Sequence, residues 1–95
     1  MRYICALTIA GSDSCGGAGV QADIKTMSAL GVYAASAITS VTVQNTLGVQ
    51  AIQAIQPEIV AGQIRVVMDD IKPMAIKVGM VNDQATILAI ADTLR

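Results

Sequence analysis

The residues of this chain with the most chemistry lie in and around one glycine-rich stretch, Leu7 to Asp23. It holds Ser12, Asp13, Ser14, Cys15 and Asp23, and four of the eight glycines: Gly11, Gly16, Gly17 and Gly19. Glycine admits positive φ and lets a ligand approach backbone amides closely. A helix starting just after such a turn adds free N–H groups and the positive end of a dipole. Together these suit a phosphate or a small polar ligand. The phosphate alternatives then lose ground on particular residues. Gly11 and Gly16 have the interval of a P-loop, but Gly17-Ala18 stands where Lys-Ser/Thr would be. Gly17-Ala18-Gly19-Val20-Gln21-Ala22 fits the loose dinucleotide pattern G-x-G-x-x-A. That fingerprint wants an acidic residue about 20 positions further on, and no Asp or Glu occurs between Asp23 and Glu58.

Other reactive groups have plainer readings. Asp13 in a glycine turn could hold magnesium, but that ion usually sits with substrate phosphates and few protein carboxylates. Turn bonds or a helix cap are the expected work of Ser12 and Asp13. Asp69-Asp70, before Lys72-Pro73, reads as a solvated helix end rather than a carboxylate dyad. Cys5 and Cys15 have no histidine company and no zinc-like spacing, so two free thiols in a reducing compartment are expected. Cys15 has no basic neighbour before Lys25 and is expected to be a small loop residue.

The elements that would position these groups follow from the hydrophobic rhythm. Tyr3 to Ala10 is a nearly continuous apolar run, suited to a strand buried on both faces. Gly11–Gly17 is the loop. Val20, Ile24, Met27 and Leu30 recur at helical spacing over 18–30, with Gly31 as the residue that stops the helix. Val32 to Val43 favours strand, Gln44–Gly48 a polar turn, and Val49 to Gln56 an exposed or edge strand broken by glutamines. Pro57-Glu58 opens a helix with Ile59, Val60, Ile64, Val67, Met68 and Ile71 as its stripe. Pro73 prevents its continuation. Met74 to Val78 is a short strand ending at Gly79-Met80. Asn82 is expected to cap a last helix with Ile87, Leu88, Ala91 and Leu94 on one face. The order β-α-β-(β)-α-β-α predicts an α/β three-layer domain with a mostly parallel sheet. Ligands of such sheets bind beyond the carboxyl ends of the strands. Three turns meet that rule: Gly11–Gly19, Gln44–Gly48 and Gly79–Asn82.

Composition narrows the classes. The chain has 95 residues, 54% of them hydrophobic and 14% charged, against about 25% charged in an average soluble domain. So small and apolar a chain is expected to be part of a larger α/β domain or to need a partner. One edge strand is expected to be left bare. The net charge of −1 and six scattered basic residues argue against a nucleic-acid surface. No apolar run approaches the ~20 residues of a membrane span, and the short run after Arg2 does not read as a signal peptide. There is no linker, repeat or low-complexity tract.

The stretch Leu7-Thr8-Ile9-Ala10-Gly11-Ser12-Asp13-Ser14, continuing in Gly16-Gly17-Ala18-Gly19-Val20-Gln21-Ala22-Asp23-Ile24-Lys25-Thr26, resembles the N-terminal signature of the hydroxymethylpyrimidine/phosphomethylpyrimidine kinases of thiamine biosynthesis, in the ribokinase-like superfamily. Ala29-Leu30-Gly31-Val32-Tyr33, Thr39-Ser40-Val41-Thr42-Val43-Gln44-Asn45-Thr46, Asp69-Asp70-Ile71 and Lys77-Val78-Gly79-Met80 carry the likeness onward. It covers residues 1–95 as the N-terminal portion of one ribokinase-like αβα kinase domain.

The resemblance implies ATP- and Mg²⁺-dependent phosphorylation of 4-amino-5-hydroxymethyl-2-methylpyrimidine and then of its monophosphate. It implies that the catalytic residue and most ATP contacts lie in a later glycine-containing motif, so none is expected in this chain. The expected contribution here is the pyrimidine pocket. Gln44 would pair with the aminopyrimidine edge, and Asp23 would accept from or orient the hydroxymethyl group. Gly11 would allow close approach of the backbone, Met80 would lie against the flat ring, and Val43 or its neighbours would add backbone hydrogen bonds. A cytoplasmic homodimer acting on a small molecule, with no nucleic-acid or membrane partner, is the implied setting. Two rivals stay open: a pyridoxal-type kinase of the same superfamily, and a non-catalytic fragment that binds a ligand or a partner chain.

Overall fold

In the computed structural model, which describes residues 4–81 and 83–95, the first apolar run forms strand β1 (Cys5–Asp13) at the centre of the sheet. Ala6 to Ala10 are all buried, as a strand covered on both faces requires. Helix α1 (Gly19–Ala29) leads to β2 (Tyr33–Asn45), which pairs parallel to β1. Strand β3 (Gly48–Ala54) folds back antiparallel on β2, α2 (Pro57–Asp70) returns across the sheet, and β4 (Ala75–Val78) pairs parallel to the other side of β1. Helix α3 (Gln84–Thr93) follows. The strand order is β3-β2-β1-β4, so the sheet is mostly parallel with one antiparallel pair.

Side-chain alternation divides the sheet between its two helical layers. Leu7 and Ile9 of β1 lie beside Ala35 and Ala37 of β2 and join Val60 and Ile64 of α2 and Ile90 of α3 in the core. The small residues of β2 let α2 come close. Thr8 points to the opposite face, where it meets Asp23 of α1. The edge of β2 is also sealed by a side chain. Gln63 of α2 accepts from Ile38 N at 2.9 Å and donates to Ile38 O at 3.0 Å, copying a strand where β3 has not yet begun to pair.

Several boundaries differ from the sequence expectation, each for a local reason. Strand β1 does not stop at Ala10. It continues through Gly11 to Asp13, with a register shift between Ala10 and Ser12, because β2 runs on alongside it. Gly11 fits closely there: a Cβ would stand 2.6 Å from Ser40 Oγ, whose hydroxyl would have to turn away. The expected turn at Gln44–Gly48 shrinks to Thr46-Leu47, since Gln44 and Asn45 pair with Val49 and Gly48. Helix α1 begins at Gly19 and ends at Ala29, with Gly31 at φ +77° beyond it. Leu30 is exposed, and so is Ile59 of α2.

The buried face of α3 also differs: Thr86 and Ile90 are buried, with Leu94 half-buried, whereas Ile87, Leu88 and Ala91 are exposed. This helix is apolar nearly all round, so periodicity does not fix which stripe packs on α2. Its cap is Asp83, whose carboxylate accepts from Ala85 N at 3.0 Å. The expected cap Asn82, and the expected strand start at Tyr3 with Arg2 before it, lie outside the described residues. Strand β4 pairs only with β1 among the described strands, leaving Ile76 and Val78 partly exposed at the sheet edge.

Candidate functional site

The carboxyl ends of β1, β2 and β4 frame a cleft of about 500 Å³. The residues at those ends are small or polar because each strand is leaving the apolar core there. Gly11, Gln44 and Met80, three of the five residues expected to touch a ligand, line this cleft. Met80 is 83% exposed, so its thioether side chain is free to lie on a ligand rather than fill the core.

Gln44 is held in place from two sides. Ser14 Oγ donates to the Gln44 carbonyl at 2.5 Å and accepts from Gln44 N at 2.8 Å, tying the glycine loop to β2. Thr42 Oγ1 lies 2.7 Å from Ser12 O and 3.0 Å from Gln44 Oε1, and has one proton to share between them. The carboxamide is therefore oriented at the cleft wall by contacts that sequence reading did not single out. Nothing in the residue types at 12, 14 and 42 distinguishes such braces from ordinary turn serines and threonines.

The other two expected residues are placed differently. Asp23 does not line the cleft. Its Oδ2 accepts from Thr8 Oγ1 at 2.5 Å and from Lys77 Nζ at 2.8 Å. Burial pushes this carboxyl up, but the hydrogen bonds from Lys77 and Thr8, with the Lys77 charge, outweigh it and hold Asp23 below its ordinary value of 3.8. Lys77, not Asp23, is the member of the pair that reaches the cleft wall. Val43 is more than half exposed, does not line the cleft, and pairs with Ala51 of β3. Alternation along β2 explains this, since Thr42 and Gln44 take the cleft side and Val43 points away.

The glycine loop is organised by Asp13, which is 4% exposed. Its carboxylate accepts from Cys15 N at 2.9 Å, Gly17 N at 3.0 Å and Ala18 N at 2.8 Å. Loop amides just before the helix, which would otherwise attract a phosphate, are thus already paired with an internal anion. Gln21 completes the brace, accepting from Asp13 N at 2.8 Å and donating to Ser12 Oγ at 2.7 Å. Gly19, at φ +61°, is irreplaceable here: a Cβ would come 2.2 Å from Gly11 O. Among the described residues no group of three or more His, Cys, Asp or Glu could hold a metal.

A layered α/β fold with a mostly parallel sheet matches the ribokinase-like kinases. The chain superposes with a TM-score of 0.94 on phosphomethylpyrimidine kinase from Clostridium difficile, at 52% identity, covering 97% of this chain and 40% of that one. It also superposes with a TM-score of 0.86 on pyridoxal kinase from Staphylococcus aureus in complex with AMP-PCP and pyridoxal, at 29% identity, covering 99% and 35%.

The sequence model of the phosphomethylpyrimidine kinase family matches residues 13–95, and the chain belongs to that family. It is 59% identical over 90 residues to the hydroxymethylpyrimidine/phosphomethylpyrimidine kinase of Rhizobium meliloti, covering 95% of this chain and 34% of that protein. The corresponding kinase of Escherichia coli is 47% identical over 95 residues, covering 100% and 36%. The chain spans about a third of the length of these relatives.

Proposed function

We propose that this chain forms the acceptor pocket of a kinase that phosphorylates 4-amino-5-hydroxymethyl-2-methylpyrimidine, and then its monophosphate, for thiamine biosynthesis. The observation that carries the reading is the braced carboxamide of Gln44, set on the same cleft as Gly11 and Met80. A carboxamide offers one acceptor and two donors, which match the amino group and ring nitrogen of an aminopyrimidine. An exposed methionine on the same cleft suits a flat ring, and bare glycine backbone leaves room for it.

In the whole enzyme MgATP would supply the phosphoryl group. Its site would be built outside residues 1–95, as the N-terminal portion of a larger kinase domain requires, with the catalytic residue there too. We place the enzyme in the cytoplasm as a homodimer. The apolar exposed side of α3 with the edge of β4 supports burial against further protein. No described helix is long and apolar enough to cross a membrane.

Calorimetric titration with the aminopyrimidine alcohol tests the pocket. Binding by the unaltered chain, and a loss of about 10- to 100-fold in Gln44→Ala, is the expected result. The likeness to a pyridoxal kinase makes pyridoxal the control ligand. Preference for pyridoxal would move the assignment to that activity. The 95 residues alone are expected to give no ATP-dependent turnover, as a non-catalytic part would. Turnover would place the transfer machinery within them.

A further inference from the structure

We propose that Lys77 is the group by which this cleft recognises the phosphate of the monophosphorylated acceptor, an inference that rests on the acceptor-pocket reading above. A phosphate site needs either free backbone amides or a cation. The amides of Cys15, Gly17 and Ala18 are paired with the Asp13 carboxylate. Lys25 is turned away to the carbonyl of Gly16 at 2.9 Å and does not line the cleft. The other charged residues on the cleft wall are Asp13 and Asp83, both acidic. Lys77 is the one cation among the described residues that line it.

Its placement is built rather than incidental. The stem leaves β4 beside Thr8, and the ammonium is anchored by Asp23 Oδ2 at 2.8 Å. The tip then lies beside Gly79, where a Cβ would stand 3.3 Å from Nζ. The bare glycine keeps the lysine tip accessible from the cleft. The side chain is 48% exposed, and an ammonium has three donors. Asp23 takes one of them, so the remaining protons can meet phosphate oxygens. The adjacent carboxylate weakens the field of the lysine but fixes its position. The uncharged alcohol has no phosphate to offer, so Lys77 separates the two acceptors of one pocket.

The test is calorimetric titration of the unaltered chain, Lys77→Met and Lys77→Arg with the aminopyrimidine alcohol and with its monophosphate. Circular dichroism checks the fold of each variant. The unaltered chain is expected to bind the monophosphate about five- to tenfold more tightly than the alcohol at low salt, with the advantage shrinking as salt is raised. Lys77→Met should abolish that advantage while leaving affinity for the alcohol within about twofold, and Lys77→Arg should retain it in part. In the unaltered chain, the Lys77 side-chain nitrogen resonance should move on adding the monophosphate and stay still on adding the alcohol, which keeps the idea testable even if the variants do not fold.

Equal loss of both ligands in Lys77→Met, an undiminished monophosphate advantage, or an unmoved resonance would overturn the proposal. If neither pyrimidine binds the unaltered chain but pyridoxal does, the heterocycle assignment fails by itself. The same comparison of pyridoxal with its phosphate, with and without Lys77, then decides the role of the lysine.

Discussion

Two glycine-bearing segments end parallel strands of the same sheet, and they spend their polar groups in opposite ways. After β1, Asp13 gathers three backbone amides and Gln21 braces what remains, so the loop is internally satisfied and serves as a rigid wall. After β4, Gly79 and Met80 leave a lysine tip and an exposed methionine facing open space. The first segment looks more like a ligand loop in sequence, and the second holds the groups with capacity left to bind. Glycine richness reports a close approach of chains, and only the hydrogen-bond accounting shows whether the approaching partner is a ligand or the protein itself.

The contrast can be broken most severely at Asp13. Asp13→Ala removes the charged acceptor of three loop amides and is expected to cost about 3 kcal/mol, read as a lowered midpoint in a urea melt. Gly19→Ala comes next. Its Cβ would sit 2.2 Å from the Gly11 carbonyl at a φ of +61°. The strand and helix would have to part at a cost of about 2–3 kcal/mol in the same melt.

Ser14→Ala should act more on binding than on stability. It releases the backbone of Gln44, with an expected loss of about 1 kcal/mol in stability and a several-fold weaker fit of the pyrimidine by calorimetry. The smallest effect belongs to the Asp23–Lys77 pair. Because the folded carboxyl is held below 3.8, its contribution is fully present above that value. It is lost as the pH falls through 3.8 toward the lower folded value. Acid unfolding curves of the unaltered chain and Asp23→Asn should therefore converge below that window and separate above it.

Much of this architecture was legible in sequence. The buried run of β1, the stop at Gly31, the helix opening at Pro57 and the exposed character of β3 all follow from local residue chemistry. So does the three-layer order. What escaped were features decided across the chain. That β1 continues past Gly11 depends on β2 running on beside it, with Ser12 and Asp13 paired to Val41 and Thr42. The buried stripe of α3 depends on α2, because the helix offers apolar residues on every side.

The cleft followed the same division. The convergence of three strand ends follows from topology, whereas Gln44, Gly11 and Met80 are named by the family resemblance and line the cleft. Asp23 is expected from the resemblance to meet the hydroxymethyl group, and the partner it has in the fold, Lys77, sits 54 residues away. Lys77 was seen within a motif and given no role, because one lysine in a short strand carries no periodic signal. Ser14 and Thr42 are ordinary residues whose importance lies in what they hold.

The central claim is that the cleft is an aminopyrimidine pocket organised by Gln44. It is tested most directly by competitive calorimetry of the unaltered chain with the aminopyrimidine alcohol and pyridoxal, repeated on Gln44→Ala. The account predicts that the aminopyrimidine binds in preference to pyridoxal and that the substitution removes that preference. Preference for pyridoxal, or an aminopyrimidine affinity indifferent to Gln44, would contradict it.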